Sequence, residues 1–370
     1  MPIKSSVVVA VMATAFALSA STHPASAQNI PPGYPDSYKD IVAAAMKEGK
    51  VTILSSTNSP NTKPVWADFE KLYPGIKVEQ SDLSSTELYN RFLSQEAAGD
   101  HETDVLWSNA MDLQMKLVMD GRALTYVSPE KSHMPSWAQY KDQIYALTLD
   151  PTVFVYNKRL LPPALVPKTH ADILKLVTDH RDAYQGKVTT YDVATTGSAY
   201  LTAVYDSKQW PQYWDLVNAF GKIGARYYQS AGAMVEMVAA GQYAFAYDLP
   251  YPYAQFREMT DPNVGHVFPS DYTLSLSRVV LISKNTPHPN AAKLFLDYLL
   301  SKRGQQLIAD KGALVAIRSD VTGPNSFTEV VKQAGPNFVP AKLDPSLLDS
   351  LQPRPRLEFL RKWKSGANGS

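Results

Sequence analysis

Apolar positions along this chain recur in two periods, and the periods take turns. IVAAAMKEGK (41–50) has the spacing of a helix, and VTIL (51–54) is a short apolar run of strand type. KPVWADFEKLYPG (63–75) is helical until Pro74-Gly75 stops it, and IKVEQ (76–80) alternates as a strand does. The unit then repeats. Ser84 and Glu87 are spaced as a capping box ahead of TELYNRFLSQEAAG, which ends at Gly99; TDVLW (103–107) is the next strand and AMDLQMKLVMDG, ending at Gly121, the next helix. Such repetition predicts an α/β fold, a parallel or mixed sheet with helices on both faces.

A second α/β section follows Tyr126. QIYALTL and TVFVYN (143–157) are strand-like, Pro162, Pro163 and Pro167 mark a turn, and ADILKLVTDH (171–180) is a helix. KVTTYDV (187–193) and ARYYQ (225–229) read as strands with the helix-like SAYLTAVYD between them; AMVEMVAAG (233–241) is a further helix and YAFAYD (243–248) a further strand. The block 264–283 is β-type throughout and suits a crossover that returns the chain to the first section. The tail after Lys364 is expected to fray.

The first 27 residues follow neither period. Lys4 precedes the apolar run VVVAVMATAFALSA, and Pro24-Ala25-Ser26-Ala27 offers the small residues of an export cleavage site, so cleavage after Ala27 and a periplasmic product are expected. An uncleaved anchor is the rival, but the run is only about 14 residues where a span needs about 20. The chain has no cysteine, which removes disulfides and a lipid-bearing cysteine, so no membrane anchor is expected and stability must come from core burial. The leader holds one lysine and no acid, so the remainder has equal numbers of basic and acidic side chains. That balance argues against nucleic acid or an anionic membrane as partner and favours a small solute.

Three stretches carry a family resemblance. FVYNKRLLPP (154–163), YQGKVTTYDVATTGSAYLTAV (184–204) and VLISKNTPHPNAAKLFLDYLLSKRGQQLIADKGALVAIR (280–318) resemble the periplasmic solute-binding proteins of ATP-binding-cassette importers. The branch is the one that includes binders of ferric iron, spermidine, thiamine, phosphonate and sugar phosphate. The resemblance implies a type II periplasmic-binding-protein fold, each lobe a mixed sheet flanked by helices, with a ligand cleft between lobes that closes when filled. It also implies a monomer that delivers its solute to a cognate permease with its ATPase. On that division residues 28–125 with 273–318 form one lobe, and 126–272 with 319–370 the other.

In open α/β sheets ligands sit beyond the carboxyl ends of strands, where helix N-termini present free amides. Four such junctions carry small polar residues: Ser55, Ser56, Thr57 and Asn58; Ser108 and Asn109; Thr195, Thr196, Gly197 and Ser198; and Ser230, Ala231 and Gly232. Helix capping alone would account for any one of them; together they suit an anionic solute, a carboxylate, phosphate or phosphonate. Arg278 is the candidate cation, with a surface arginine beside a strand as its rival reading.

Ferric iron is the alternative ligand. The iron binders of this family place two adjacent tyrosines after the strand that here ends in Asp248, but those positions are Tyr251 and Pro252, and proline cannot ligate; Tyr253 would need a shifted register. Asn58 and Asn109 stand where the family's histidine and glutamate ligands would fall, and neither suits a hard ferric ion. Tyr251, Trp107 and Tyr156 are therefore expected as walls for an organic solute, unless Trp107 and Tyr156 belong to the core, and Asp248 is expected among the ligand-binding residues. No cofactor or metal site is expected. Six scattered histidines after the leader, no HExxH and no G-x-S-x-G leave a hydrolase without a nucleophile, although Ser198 follows a glycine at a strand-to-helix turn. A sensor's ligand-binding protein would use the same fold.

Overall fold

The computed structural model describes residues 30–312 and 314–369; the leader and its expected cleavage site lie outside them. Three parallel strands open the fold: β1 (Lys50–Ser55), β2 (Lys77–Asp82) and β3 (Val105–Ser108), with α1 (Tyr38–Glu48), α2 (Ser59–Leu72), α3 (Ser85–Ala98) and α4 (Met111–Met119) around them. The Ser84–Glu87 capping box forms as the spacing predicts, and Gly99 ends α3 at φ 73°, a conformation that favours glycine.

The short β4 (Gln139–Tyr140) leads into β5 (Ile144–Asn157). Next come α5 (His170–Asp179), α6 (Arg181–Tyr184), β6 (Val188–Tyr191), α7 (Gly197–Gln209) and α8 (Tyr213–Lys222). They are followed by β7 (Arg226–Tyr228), α9 (Ala231–Ala239), β8 (Phe245–Pro250), α10 (Tyr251–Thr260), β9 (Val264–Val267) and β10 (Thr273–Ile282). The chain closes with α11 (Pro289–Leu300), α12 (Lys302–Asp310), β11 (Val315–Ala316), α13 (Phe327–Ala334), β12 (Phe338–Pro340) and α14 (Pro353–Ala367).

The strands run in the order β2-β1-β3-β10-β5-β8-β6-β7, parallel at both ends and antiparallel in the middle. The two segments the sequence separates at 143–157 are one 14-residue strand. Its first half pairs with β10 as far as Pro151, and from Thr152 it pairs with β8 and, from Phe154, with β9. Pro151, which has no N–H to donate, falls where β5 changes partners. β5 and β10 are thus the crossovers between two halves, each a mixed sheet flanked by helices.

The cores change hands at the same place. Leu147 belongs to the first, with Phe69, Trp107 and Phe295, and Leu149 to the second, with Val153, Val235 and Leu249. Met134, Ala138 and Ile144 pack with the first core, as do Ala341, Leu343 and Leu347. The core therefore does not change at 126 or 319, where the sequence division puts the lobe boundaries.

The tail does not fray at Lys364 either. α14 is helical to Ala367 and packs on α8, where a Cβ on Gly221 would lie 2.0 Å from the Gly366 carbonyl oxygen. Two glycines allow that approach of backbones. Among the described residues no helix is long and apolar enough to cross a membrane.

Candidate functional site

A cavity of about 310 Å³ opens between the two halves beyond the carboxyl ends of the parallel strands. The loop after β1 contributes Ser56 and Asn58, that after β2 Asp82, Ser84 and Ser85, and that after β3 Asn109; the loops after β6 and β7 add Thr196, Ser198, Ser230 and Gly232. Tyr253 near the start of α10 and Arg278 on β10 also line it, as do Glu87, Tyr191 and Gln229. All four junctions read from the sequence converge here.

Eight of the expected site residues line the cavity: Ser56, Asn58, Asn109, Thr196, Ser198, Ser230, Gly232 and Arg278. Ser55, Thr57 and Ser108 lie beneath it, wholly buried. The Thr57 amide donates to Ser55 Oγ at 2.9 Å and the Ala110 amide to Ser108 Oγ at 3.2 Å, so these hydroxyls shape loops. Gly197 is a contact between the halves: a Cβ there would stand 3.3 Å from Ser85 Oγ and Thr86 Oγ1 and 3.4 Å from Leu113.

The remaining expectations are corrected. Tyr156 packs over Gly265 at the far end of β5, where a Cβ on that glycine would lie 2.6 Å from its ring. Asp248 is buried in the second half at φ 62°, beside Asp206 and away from the cavity; burial, then the Asp206 charge, holds its carboxyl well above the usual range. Tyr251 is 1% exposed and packs on His266 and Phe268. Trp107 is a core residue, its ring 5.5 Å from that of Trp66. Tyr253, two residues beyond Tyr251 on α10, takes the wall position, because a two-residue step turns a side chain to roughly the opposite face of a helix.

Arg278 reaches the cavity from the crossover but is not a free cation. It is 1% exposed, its Nε donates to Asp150 Oδ1 at 3.2 Å, and its Nη2 lies 3.0 Å from Asp150 Oδ2. Its Nη1 donates to Thr57 Oγ1 at 2.9 Å and to the Ser56 carbonyl oxygen. Burial alone would favour loss of the guanidinium proton, and Asp150 overrides it. The pair links β5 to β10, so it braces the two crossovers. The Tyr253 ring lies 6.0 Å from the guanidinium carbon.

The helix N-termini around the cavity differ in whether a carboxylate stands at them. At α2 the Ser59 amide donates to Asp82 Oδ2 at 3.0 Å, Pro60 has no N–H, and the Asn61 amide turns back to the Asn58 carbonyl. At α3 the Glu87 carboxylate accepts from the amide of the capping residue Ser84, whose Oγ takes the Glu87 amide, and the first bond holds the Glu87 carboxyl below the ordinary range. α7 differs: no side chain caps it, and the buried Thr196 hydroxyl has no hydrogen-bond partner among the described residues. At α9 Ser230 Oγ takes the Ala233 amide only, leaving the amides of Ala231 and Gly232 without an intrahelical partner. The first half thus faces the cavity with two carboxylates, and the second with unclaimed amides and hydroxyls.

Sequence reasoning missed Asp82, Ser84, Ser85, Glu87, Tyr191, Gln229 and Tyr253 as lining residues. Asp82 was findable. β2 is parallel to β1 with Ser55 opposite Asp82, so the rule that picked out Ser55–Asn58 applies equally to the end of β2.

A family model described as bacterial extracellular solute-binding protein matches residues 65–334. The chain belongs to that family. Among solved structures it is similar to the substrate-binding protein of an ABC transporter from Agrobacterium tumefaciens, with 29% identity and a TM-score of 0.82 over 86% of this chain and 94% of that one. It is also similar to the periplasmic binding protein AfuA from Actinobacillus pleuropneumoniae with fructose-6-phosphate bound, at 19% identity and a TM-score of 0.72 over 87% and 99% of the two chains. The apo ferric ion-binding protein A of Pasteurella haemolytica shares 18% identity, with a TM-score of 0.68 over 87% and 99%. No curated protein sequence matches the chain. The solute-binding protein thus has the type II periplasmic-binding-protein fold that the resemblance implies, and the relative of 29% identity is the substrate-binding protein of an ABC transporter.

Proposed function

We propose that this solute-binding protein captures a small organic anion for an ATP-binding-cassette importer, and that the rest of the solute donates hydrogen bonds through hydroxyl or amine groups. One observation carries the reading: the open N-termini of α7 and α9 stand on one side of the cavity, and the carboxylates of Asp82 and Glu87 on the other. An anionic group gains roughly 0.3–1 kcal/mol from each open helix terminus, and about 2 when desolvated. Arg278 adds directed N–H donors, and its charge is balanced by Asp150. The same anion against Asp82 or Glu87 would meet like charge, so only one orientation suits a two-ended solute. The fructose-6-phosphate of the AfuA structure has such ends, a phosphate and hydroxyls.

Ferric iron fits these residues less well. No histidine lines the cavity; of its two tyrosines, Tyr191 has its phenol pushed well above the ordinary value by burial, which opposes the tyrosinate that iron prefers. On this reading the solute is bound and released without chemical change. Capture works by hinge closure about β5 and β10, the solute favouring the closed form by bridging both halves. Moving a population from 99 parts open to 99 parts closed takes about 5.5 kcal/mol of differential affinity.

The test is a thermal-shift screen of sugar phosphates, phosphonates, hydroxy and amino acids, polyamines and ferric salts. A ligand at a hundredfold excess over its Kd stabilises by about 2.7 kcal/mol. Anions bearing hydroxyl or amine groups should give the largest shifts and a smaller radius by small-angle scattering. A coloured ferric complex, or stabilisation by polyamines alone, would overturn the proposal.

A further inference from the structure

Beside the polar cavity lies a second of about 280 Å³, which shares Asn58, Gly232 and Tyr253 with it. Its walls are of another kind: Pro60 and Leu314 from the first half, Val235, Pro252 and Phe256 from the second. Val235 and Leu314 are almost wholly buried, whereas Phe256 is 58% exposed. The charged groups at its margin are Lys311 and the Arg257–Glu236 ion pair, whose atoms lie 3.3 Å apart.

Of the three shared residues Tyr253 has the largest side chain. The Tyr253 ring lies 3.8 Å from where a Cβ on Gly232 would stand. Swinging the ring would give up only the contact with the Arg278 guanidinium, 6.0 Å from its centre, and glycine at 232 puts no side chain beside it. Both chambers draw walls from both halves, so one hinge movement closes them together.

We infer that the second chamber is an annex for an apolar tail on the solute whose charged end occupies the polar cavity, with Tyr253 as the partition between them. The inference rests on the proposed anionic reading for the head only. An apolar cavity of about 150 Å³ accepts benzene, so this one has room for an aryl ring or a branched alkyl group. The ligand class narrows to organic anions with an uncharged apolar or aromatic tail.

The probes are methylphosphonate and phenylphosphonate, titrated calorimetrically, and p-cresol as a tail without a head, read by the methyl NMR signals of Val235. Phenylphosphonate should bind at least about tenfold more tightly than methylphosphonate. That gain should fall below about threefold in Val235→Trp, which fills the annex, and shrink in Phe256→Ser, an exposed position where folding is not at stake. Methylphosphonate affinity should be unchanged in both. p-Cresol should shift the Val235 methyls of the unaltered protein.

If neither phosphonate binds and p-cresol still shifts Val235, the anionic head is wrong and the annex stands. If methylphosphonate binds, the phenyl group brings no gain and p-cresol shifts nothing, the annex is wrong and the head stands. A phenyl gain that persists undiminished in both variants also overturns the annex.

Discussion

In the first half of the molecule carboxylates stand at two of the helix N-termini beside the cavity, Asp82 on the Ser59 amide of α2 and Glu87 on the amide of Ser84, the residue that caps α3. In the second half α7 starts with no side-chain cap and α9 with its first amides unclaimed. Both halves use the same architecture, parallel strands each feeding a helix at the cavity rim. What separates them is whether a carboxylate within the chain reaches the helix end first. A helix N-terminus is an anion site only while it is open; once occupied, the carboxylate that closes it becomes an acceptor facing the ligand. The same junction can therefore produce either sign of chemistry, and a cleft built from one junction of each sort recognises a solute with two different ends.

The harshest test of the contrast acts where the halves meet. Arg278→Met leaves Asp150 buried without its cation, which should cost about 3–5 kcal/mol of stability and abolish binding. Adding Asp150→Leu should restore most of the stability, because an apolar pair replaces a buried ion pair, and none of the binding. Chemical denaturation and calorimetry on the two variants separate these roles. A double variant that binds normally would show that the anion rests on α7 and α9 without help from the crossover.

Much of this was legible along the chain, and the exceptions share a cause. Strand and helix alternation, the Ser84–Glu87 box and the four polar junctions are local signals, read within a few residues, and all of them form. The partner of Arg278 is 128 residues away, so its neutralisation by Asp150 is invisible to local pattern. Along the chain β5 reads as two segments on either side of Asp150-Pro151, and the fold uses that position to change sheet partners. Tyr251 was chosen over Tyr253 by counting along the chain, whereas the helix phase of α10 decides which one sees the cavity. Asp82 was overlooked because it ends a polar strand and carries no turn signal of its own.

A second variant keeps both walls and changes only their distance. Gly197 meets Ser85, Thr86 and Leu113 across the gap, and an added Cβ would stand 3.3–3.4 Å from them. Gly197→Leu should prop the halves apart and weaken binding about tenfold to a hundredfold, with stability changed by less than about 1 kcal/mol since opening relieves the crowding. Small-angle scattering should show the larger radius persisting at saturating ligand. Unaltered closure would mean that α7 and α3 do not set the closed distance.

The walls can then be compared one hydrogen bond at a time. Asp82→Asn removes a charged acceptor and should cost about 1.5–3 kcal/mol of binding for a solute that donates to it; Thr196→Val removes a neutral group and should cost about 0.5–1.5 kcal/mol. The distinguishing measurement is a pair of ligands, one with and one without the hydroxyl or amine end. Asp82→Asn should matter only for the first and Thr196→Val for both. If Asp82→Asn weakened both ligands equally, the carboxylate would be supporting α2 through Ser59 and not reading the solute.

The smallest expected effect concerns pH. Glu87 accepts from the Ser84 amide, and that bond lowers its carboxyl pKa from the ordinary value. A carboxyl depressed in the folded state adds stability that is present above its unfolded pKa and lost as pH falls through its folded one. Glu87 therefore stays ionised from neutral pH down to the lower carboxylate range, and the first wall keeps this acceptor throughout. Affinity for a solute that donates to Glu87 should be level across that interval and decline only below it. In Glu87→Gln the decline should be smaller and the level affinity lower by a few tenths of a kcal/mol to about 1. Calorimetric titrations of both proteins from pH 7 to pH 3.5, corrected for the ligand's own protonation, measure the difference. Identical profiles would confine Glu87 to capping α3 and leave Asp82 as the acceptor that distinguishes the first wall from the second.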